Sequence, residues 1–311
     1  MENNLVVQSN DLVMATYVMT TKEKELLLAC ISQIDSRPDA PNINKQTKFM
    51  ITSDDIKGLF YRKSNAQNIY RDIEQASNRL YERDVLIALE DEKTLRTRFV
   101  SSIEFDPNNG QIELCFSEKI LPYLTQIKAN FTKYKLLEIS ELSSIHAIRL
   151  YELIVCWIGQ YQYSKSYDLD DFKYIMGVAD KYQKFSQLKK RVIETAVDEI
   201  NESTNYTVSV EYIKRSRGKG FQGLTLKFHK KTLDKLTSED GTLSKEKIQS
   251  IVDNVQFMND YNNHPSLSYD GKMNTDTFKR EMFNIIQREP ESFKKSNKTL
   301  ESYLPKVSQG K

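Results

Sequence analysis

From Phe185 to Phe228 the spacing of apolar residues changes period once, from helix to strand. On a wheel of about 100° per residue, Leu188, Val192, Ile193, Ala196, Val197 and Ile200 gather on one side. Lys184, Gln187, Lys190, Arg191 and Glu194 fall on or near the other. Beyond Asn205 the alternation is strand-like: Val208, Val210 and Tyr212, then Leu224, Leu226 and Phe228. The pattern predicts one amphipathic helix followed by a two-stranded hairpin. Its turn, Lys214 to Gly220, is basic and contains two glycines.

The same order of patterns occurs earlier in the chain. Leu5 to Val18 is a mixed segment that suits a strand or an irregular turn. Thr20 and Glu23 form a capping box ahead of a buried helix carrying Leu26, Leu27, Ala29, Cys30, Ile31 and Ile34. After a proline-bearing loop (36–46), a strand over 48–51 leads to Thr52, which caps a short helix ending near Phe60. A longer helix is predicted from about Asn65 to Arg83, with Ile69, Ile73, Ala76 and Leu80 on one face. A strand over 85–89, an acidic turn at Glu90 to Glu92, a strand over 97–105 and a final strand over 111–116 complete the set.

In the second half, a linker helix is predicted from about Pro122 to Tyr134. Ser143 and Ser144 then open a strongly apolar helix, and Asp168 caps a short one as Thr52 does upstream. Ile69 and Ile73 take the places of Leu188 and Val192. A pseudo-repeat of three helices and a hairpin points to two winged-helix domains. The expected fold is therefore α+β: two tandem winged-helix domains, residues 1–121 and 122–231, with a partly disordered helical C-terminal extension over 232–311. That extension carries equal numbers of acids and bases and two amphipathic stretches, about Ser244 to Tyr261 and Thr275 to Gln287. The end from Lys294 is expected to be disordered.

Charge changes this picture locally rather than globally. The net charge is only +2, so a polyanionic partner must be met by clustering. Lys214 to Lys231 holds seven Lys/Arg and no acid. Beside a helix presenting Lys190 and Arg191, that cluster favours double-stranded DNA over a merely solvated turn. Gln187, Lys190, Arg191 and Glu194, with Lys184 at the helix start, are candidates for the major groove. Lys214, Arg215, Arg217 and Lys219 are candidates for phosphates. The upstream helix offers Asn68, Arg71 and Gln75, but acids are mixed in, and phosphates repel the Glu90–Glu92 wing. Its outer strands are the expected route to self-association.

Other chemistry is sparse. The chain has no phosphate-cradling G-x-x-x-x-G-K-[ST] and no C-x-x-C, and its histidines (His146, His229, His264) lack metal-ligand spacing. No cofactor, metal or enzymatic activity is expected. Cys30, Cys115 and Cys156 are far apart in apolar elements, a reduced pattern. With neither a signal segment nor an apolar run near 18 residues, a soluble cytoplasmic protein is expected. His146 and Arg149 match the H-x-x-R of tyrosine recombinases, a strand-transferase alternative. They are read instead on the polar side of a buried helix, with Ile145, Ile148, Leu150 and Leu153 supplying its apolar contacts.

Three ordered stretches resemble the replication initiators of iteron-bearing, theta-replicating plasmids: VVQSNDLVMATYVMTTKEKELLLACISQID, LLEISELSSIHAIRLYELIVCW and LKKRVIETAVDEINESTNYTVSVEY with its basic turn and GLTLKF. The second stretch is the most diagnostic, with Arg149-Leu-Tyr-Glu-Leu153 at its centre. The resemblance implies binding to tandem origin repeats through both winged helices, opening of an adjacent A+T-rich segment and recruitment of the host initiator and replicative helicase. It also implies a homodimer, joined through the first domain, that represses its own gene. A transcriptional repressor without a replication role is the alternative.

Overall fold

The computed structural model describes residues 5–41, 43–60, 69–160, 162–215, 220–231, 245–267, 274–288, 292–293 and 300–304. The chain divides into two compact units, Met1–Thr204 with Val208–Phe228 and Asn205–Thr207 with His229–Lys311.

The first unit begins with β1 (Leu5–Ser9), α1 (Asn10–Met14) and β2 (Thr16–Tyr17). Helix α2 (Thr21–Ile31) starts at the predicted capping box, in which the Thr20 hydroxyl and the Glu23 carboxylate each accept from the other's backbone N–H. Next come β3 (Lys48–Thr52), α3 (Ser53–Phe60), α4 (Ile69–Tyr81), β4 (Asp84–Ala88), β5 (Thr94–Arg98), β6 (Val100–Asp106) and β7 (Gln111–Phe116). Thr52 caps α3 as read, its hydroxyl accepting from the Asp55 N–H at 3.1 Å. Ile69, Ile73, Ala76 and Leu80 are all buried on α4, which packs along α2.

Two expectations, one in each half, are corrected. The strand foreseen over 97–105 is two strands in different sheets. Strand β5 joins β2-β4-β5 and β6 joins β3-β7-β6. Phe99, between them and 1% exposed, anchors the crossing in the core. The linker helix over 122–134 does not form: only a 3-10 turn, Leu121–Tyr123, precedes β8 (Phe131–Lys135). Strand β8 pairs antiparallel with β1, Leu5 opposite Lys135 and Ser9 opposite Phe131. Its alternation of exposed and buried residues is the strand period, which the five residues FTKYK carry too briefly to outweigh a helical reading.

After a short α5 (Leu136–Ile139), helix α6 (Ile145–Gly159) starts at the Ser144 cap and is apolar on nearly every side. A helix with that pattern has to be enclosed; Leu150, Tyr151, Leu153 and Ile154 are wholly buried. The second winged helix continues through β9 (Ser164–Asp168), α7 (Leu169–Ile175), α8 (Phe185–Leu188), a π turn (Lys189–Glu194), α9 (Thr195–Ser203), β10 (Tyr206–Lys214) and β11 (Phe221–Lys230). Helix α6 packs along α9 as α2 packs along α4, which bears out the repeat. The sheets differ: β9 pairs with the hairpin strand β11, whereas β3, its counterpart, pairs with β7.

The second unit was expected to hold two small helices without a core. Among the described residues it contains three, α10 (Lys245–Val252), α11 (Val255–Tyr261) and α12 (Thr275–Arg288), and a 3-10 turn at Leu300–Tyr303. Ile248, Ile251, Phe257, Met282, Ile285, Phe293 and Tyr303 are among the residues of its own apolar core. Asn254 breaks the first predicted stretch into two helices by capping α11, its side chain accepting from the Gln256 and Phe257 N–H groups.

Candidate nucleic-acid interface

The segment running from Phe185 through the π turn to Ser203 has one closed face and one open one. Leu188, Val192, Ile193, Ala196, Val197 and Ile200 are all buried, the six apolar residues of the wheel. Lys184, Gln187, Lys190 and Arg191 are exposed. Glu194 is half-buried, its carboxylate 3.5 Å from Lys189 on the same helix. Part of its charge is therefore already matched, and it is the least available of the candidate base readers.

This helix is continuous but not uniformly α. The π turn at Lys189–Glu194 holds two of the four exposed candidates, and the Thr195 hydroxyl donates to the Lys190 carbonyl at 3.0 Å. π turns recur at functional sites because the inserted residue re-aims side chains without ending the helix. Nothing in the periodicity announces the turn, since the same residues stay buried either way.

The hairpin is fastened to the start of this helix by aromatic rings that the sequence reading did not single out as functional. Phe185 lies 4.6 Å from Phe221 and 5.4 Å from Tyr212, centroid to centroid, distances at which ring pairs attract. Lys189 sits over the Tyr212 ring at 5.0 Å. Burial, with Glu194 adding to it, pushes the Tyr212 hydroxyl up to about 12. Phe185 precedes Leu188 by a helical turn and Tyr212 and Phe221 flank the basic turn, but only the folded hairpin brings the three rings together. Lys214 and Arg215 are exposed at the wing, where the Arg215 N–H donates to the Gly220 carbonyl at 3.1 Å. Gly220 closes the turn at φ +113°, which an L side chain rarely adopts. Arg217 and Lys219 lie outside the described residues.

The first winged helix is less suited to phosphate. Arg71 and Gln75 are exposed on α4, while Asn68 lies outside the described residues. Arg79 and Arg83 are both engaged by the buried Glu23, at 2.8 and 2.7 Å. Arg96 is paired with Asp84, and Arg98 with Glu82 at 3.1 Å. At the wing tip Glu90, Asp91 and Glu92 are exposed.

The family model described as Initiator Replication protein, WH1, matches residues 5–155, and that described as Initiator Rep protein, WH2, matches residues 168–228. The chain belongs to this family of replication initiators. A curated relative, the Replication initiation protein of Escherichia coli, is 25% identical over 227 residues, 70% of this chain and 67% of the relative. The crystal structure of the Pi initiator protein in complex with iteron DNA matches with a TM-score of 0.58 at 20% identity, covering 73% of this chain and 98% of that one. At that identity the match establishes the shared fold.

The WH1 match runs to residue 155, and within it β8 pairs with β1 at the start of the chain. The H-x-x-R pair needs correction. Arg149 does not lie on a polar side of α6; it is 4% exposed, enclosed with the rest of the helix. Its Nη1 donates to the Val13 carbonyl at 2.5 Å and the Tyr17 hydroxyl at 3.1 Å. Its Nη2 donates to the Ala15 carbonyl at 2.6 Å, and its Nε to the Ile175 carbonyl at 3.0 Å. His146 is half-buried, edge-on to Tyr182 at 6.2 Å. Burial, with Lys181 nearby, pulls its pKa down. Among the described residues no helix is long and apolar enough to cross a membrane.

Proposed function

We propose that this initiator binds tandem repeats (iterons) in double-stranded DNA at a plasmid origin, with both winged helices on one duplex. The observation that carries the reading is the open face of Lys184, Gln187, Lys190 and Arg191, adjoining Lys214 and Arg215 on an aromatic-fastened wing. A helix so arranged presents base-reading side chains to the major groove, while the wing meets phosphates. Arg and Lys match guanine there, and Gln matches adenine.

Bound in tandem, the protein opens an adjacent A+T-rich segment and recruits the host initiator and replicative helicase, without bond chemistry of its own. Support for the non-enzymatic part is the state of Arg149, whose guanidinium is buried and taken up by backbone carbonyls. A dimer joined through the first domain, whose acidic wing is a poor partner for DNA, represses the initiator's own gene in the cytoplasm.

Footprinting of the purified chain on the DNA flanking its gene tests the reading. Protection of a tandem array with repeats of about 20 bp, roughly two helical turns, is expected. Binding that is no tighter there than on random duplex overturns it.

A further inference from the structure

Arg149 occupies an unusual position for a cation. It stands on α6, is almost wholly buried, and its fork reaches backbone carbonyls on both winged helices. Val13 and Ala15 lie at the C-terminal end of α1, in the first domain. Ile175 is the last residue of α7, in the second. The last carbonyls of a helix have no partner within it, and cations are favoured there. One guanidinium thus closes the ends of two helices from different domains at once. A second contact fixes the same junction: Gly177, just past α7 at φ +67°, lets the Tyr17 carbonyl of β2 approach so closely that a Cβ would lie 2.2 Å from that oxygen. The Arg149 guanidinium also lies over the Tyr17 ring, 4.7 Å from its centroid.

We infer that Arg149 is a positioning residue for DNA binding: it holds α1 and α7 together and so fixes the placement of the two winged helices relative to each other. The inference rests on the reading that both winged helices grip one repeat. Two modules joined rigidly in the right placement gain from the effective concentration of the second once the first is bound, a gain that falls when the junction loosens. Lysine is no substitute. Its ammonium carries charge but lacks the planar fork that satisfies three carbonyls in two directions.

The experiment measures affinities of the full-length wild type, R149K, R149M and G177A by fluorescence anisotropy. The duplexes carry one whole repeat, or one repeat with either half scrambled. For the wild type, the whole repeat is expected to bind ~10²-fold more tightly than either half. In the variants the half-repeat contacted by the second winged helix should bind as in the wild type, while the whole-repeat advantage shrinks to about tenfold or less, R149K behaving like R149M. A variant whose ratio of whole to half stays at the wild-type value overturns the inference. So does a parallel loss on whole and half repeats in all three variants, which would make the junction a requirement for folding and nothing more. If the wild type itself binds half and whole repeats alike, the two-domain grip fails first, and the positioning role with it.

Discussion

Lys24 and Glu152 form an ion pair at 2.9 Å with side chains 3% and 0% exposed, between α2 and α6. Gln8, Tyr134 and Tyr17 complete the carboxylate's shell at 2.8, 2.7 and 3.3 Å. A buried pair of this kind contributes little over an apolar replacement, but loss of one partner strands the other, at a cost of about 3–5 kcal/mol. Glu152→Ala should therefore destabilise the protein by about that amount in urea unfolding at neutral pH.

The same pair shapes the pH dependence. Burial pushes the Glu152 carboxyl up, but Lys24 and then Arg149, with hydrogen bonds from Lys24 and Tyr134, outweigh it and hold the pKa below its ordinary 4.5. Burial likewise opposes the charge on Lys24, yet Glu152 and Tyr17 hold its pKa above the ordinary 10.5. The carboxylate's contribution is thus complete above 4.5 and lost as pH falls through the lower folded value. The ammonium's is complete below 10.5 and lost as pH rises through the higher one. Unfolding free energy measured from pH 2 to 7 should fall less steeply on the acid side in Glu152→Gln than in the wild type. An unchanged acid limb would remove Glu152 from the account.

Two glycines should respond oppositely to alanine. Gly177→Ala puts a Cβ 2.2 Å from the Tyr17 carbonyl oxygen in left-handed backbone, so strain and overpacking together should cost about 2–4 kcal/mol. Gly58 lies inside α3 with no described residue within 4 Å of the added carbon. Gly58→Ala should stabilise by about 0.5–1 kcal/mol through helix propensity. Urea midpoints at constant slope check both, and equal shifts would contradict the difference in surroundings.

Arg191 and Arg215 are assigned different duties, so their alanine variants should differ in kind. Arg191→Ala is expected to cost about 1–3 kcal/mol on the cognate repeat and to relax specificity at one position. Arg215→Ala should weaken cognate and random duplexes alike and reduce the salt slope by about one. Competition titrations at several salt concentrations separate the two. Equal losses on cognate and random DNA from both variants would dissolve the distinction.

The three thiols, Cys30, Cys115 and Cys156, are buried and free. Burial pushes the Cys30 thiol well above its ordinary value and also raises Cys156, there against hydrogen bonds from Thr132 and Gln160. Since the thiolate is the reactive form, the native protein at pH 8 should label with a disulfide reagent only as fast as it opens. All three should react at once in denaturant. Rapid stoichiometric labelling of any one without denaturant would contradict its burial.

What the amino-acid pattern determined by itself was local. The capping box at Thr20, the caps at Thr52 and Asp168, the buried stripe from Leu188 to Ile200 and the basic wing were all readable, because each depends on neighbours within a turn or two of the chain. The pairing of β8 with β1, the split of β5 from β6 and the three-helix core of the second unit join residues far apart in sequence. No periodicity encodes such partners. The candidate site divides along the same line. Outward charges follow from helix period alone, while the π turn at Lys189–Glu194 and the rings of Phe185, Tyr212 and Phe221 needed the assembled hairpin. Arg149 states the difference most plainly. A lone cation on an apolar helix looks like a polar edge until three carbonyls from two domains are folded around it.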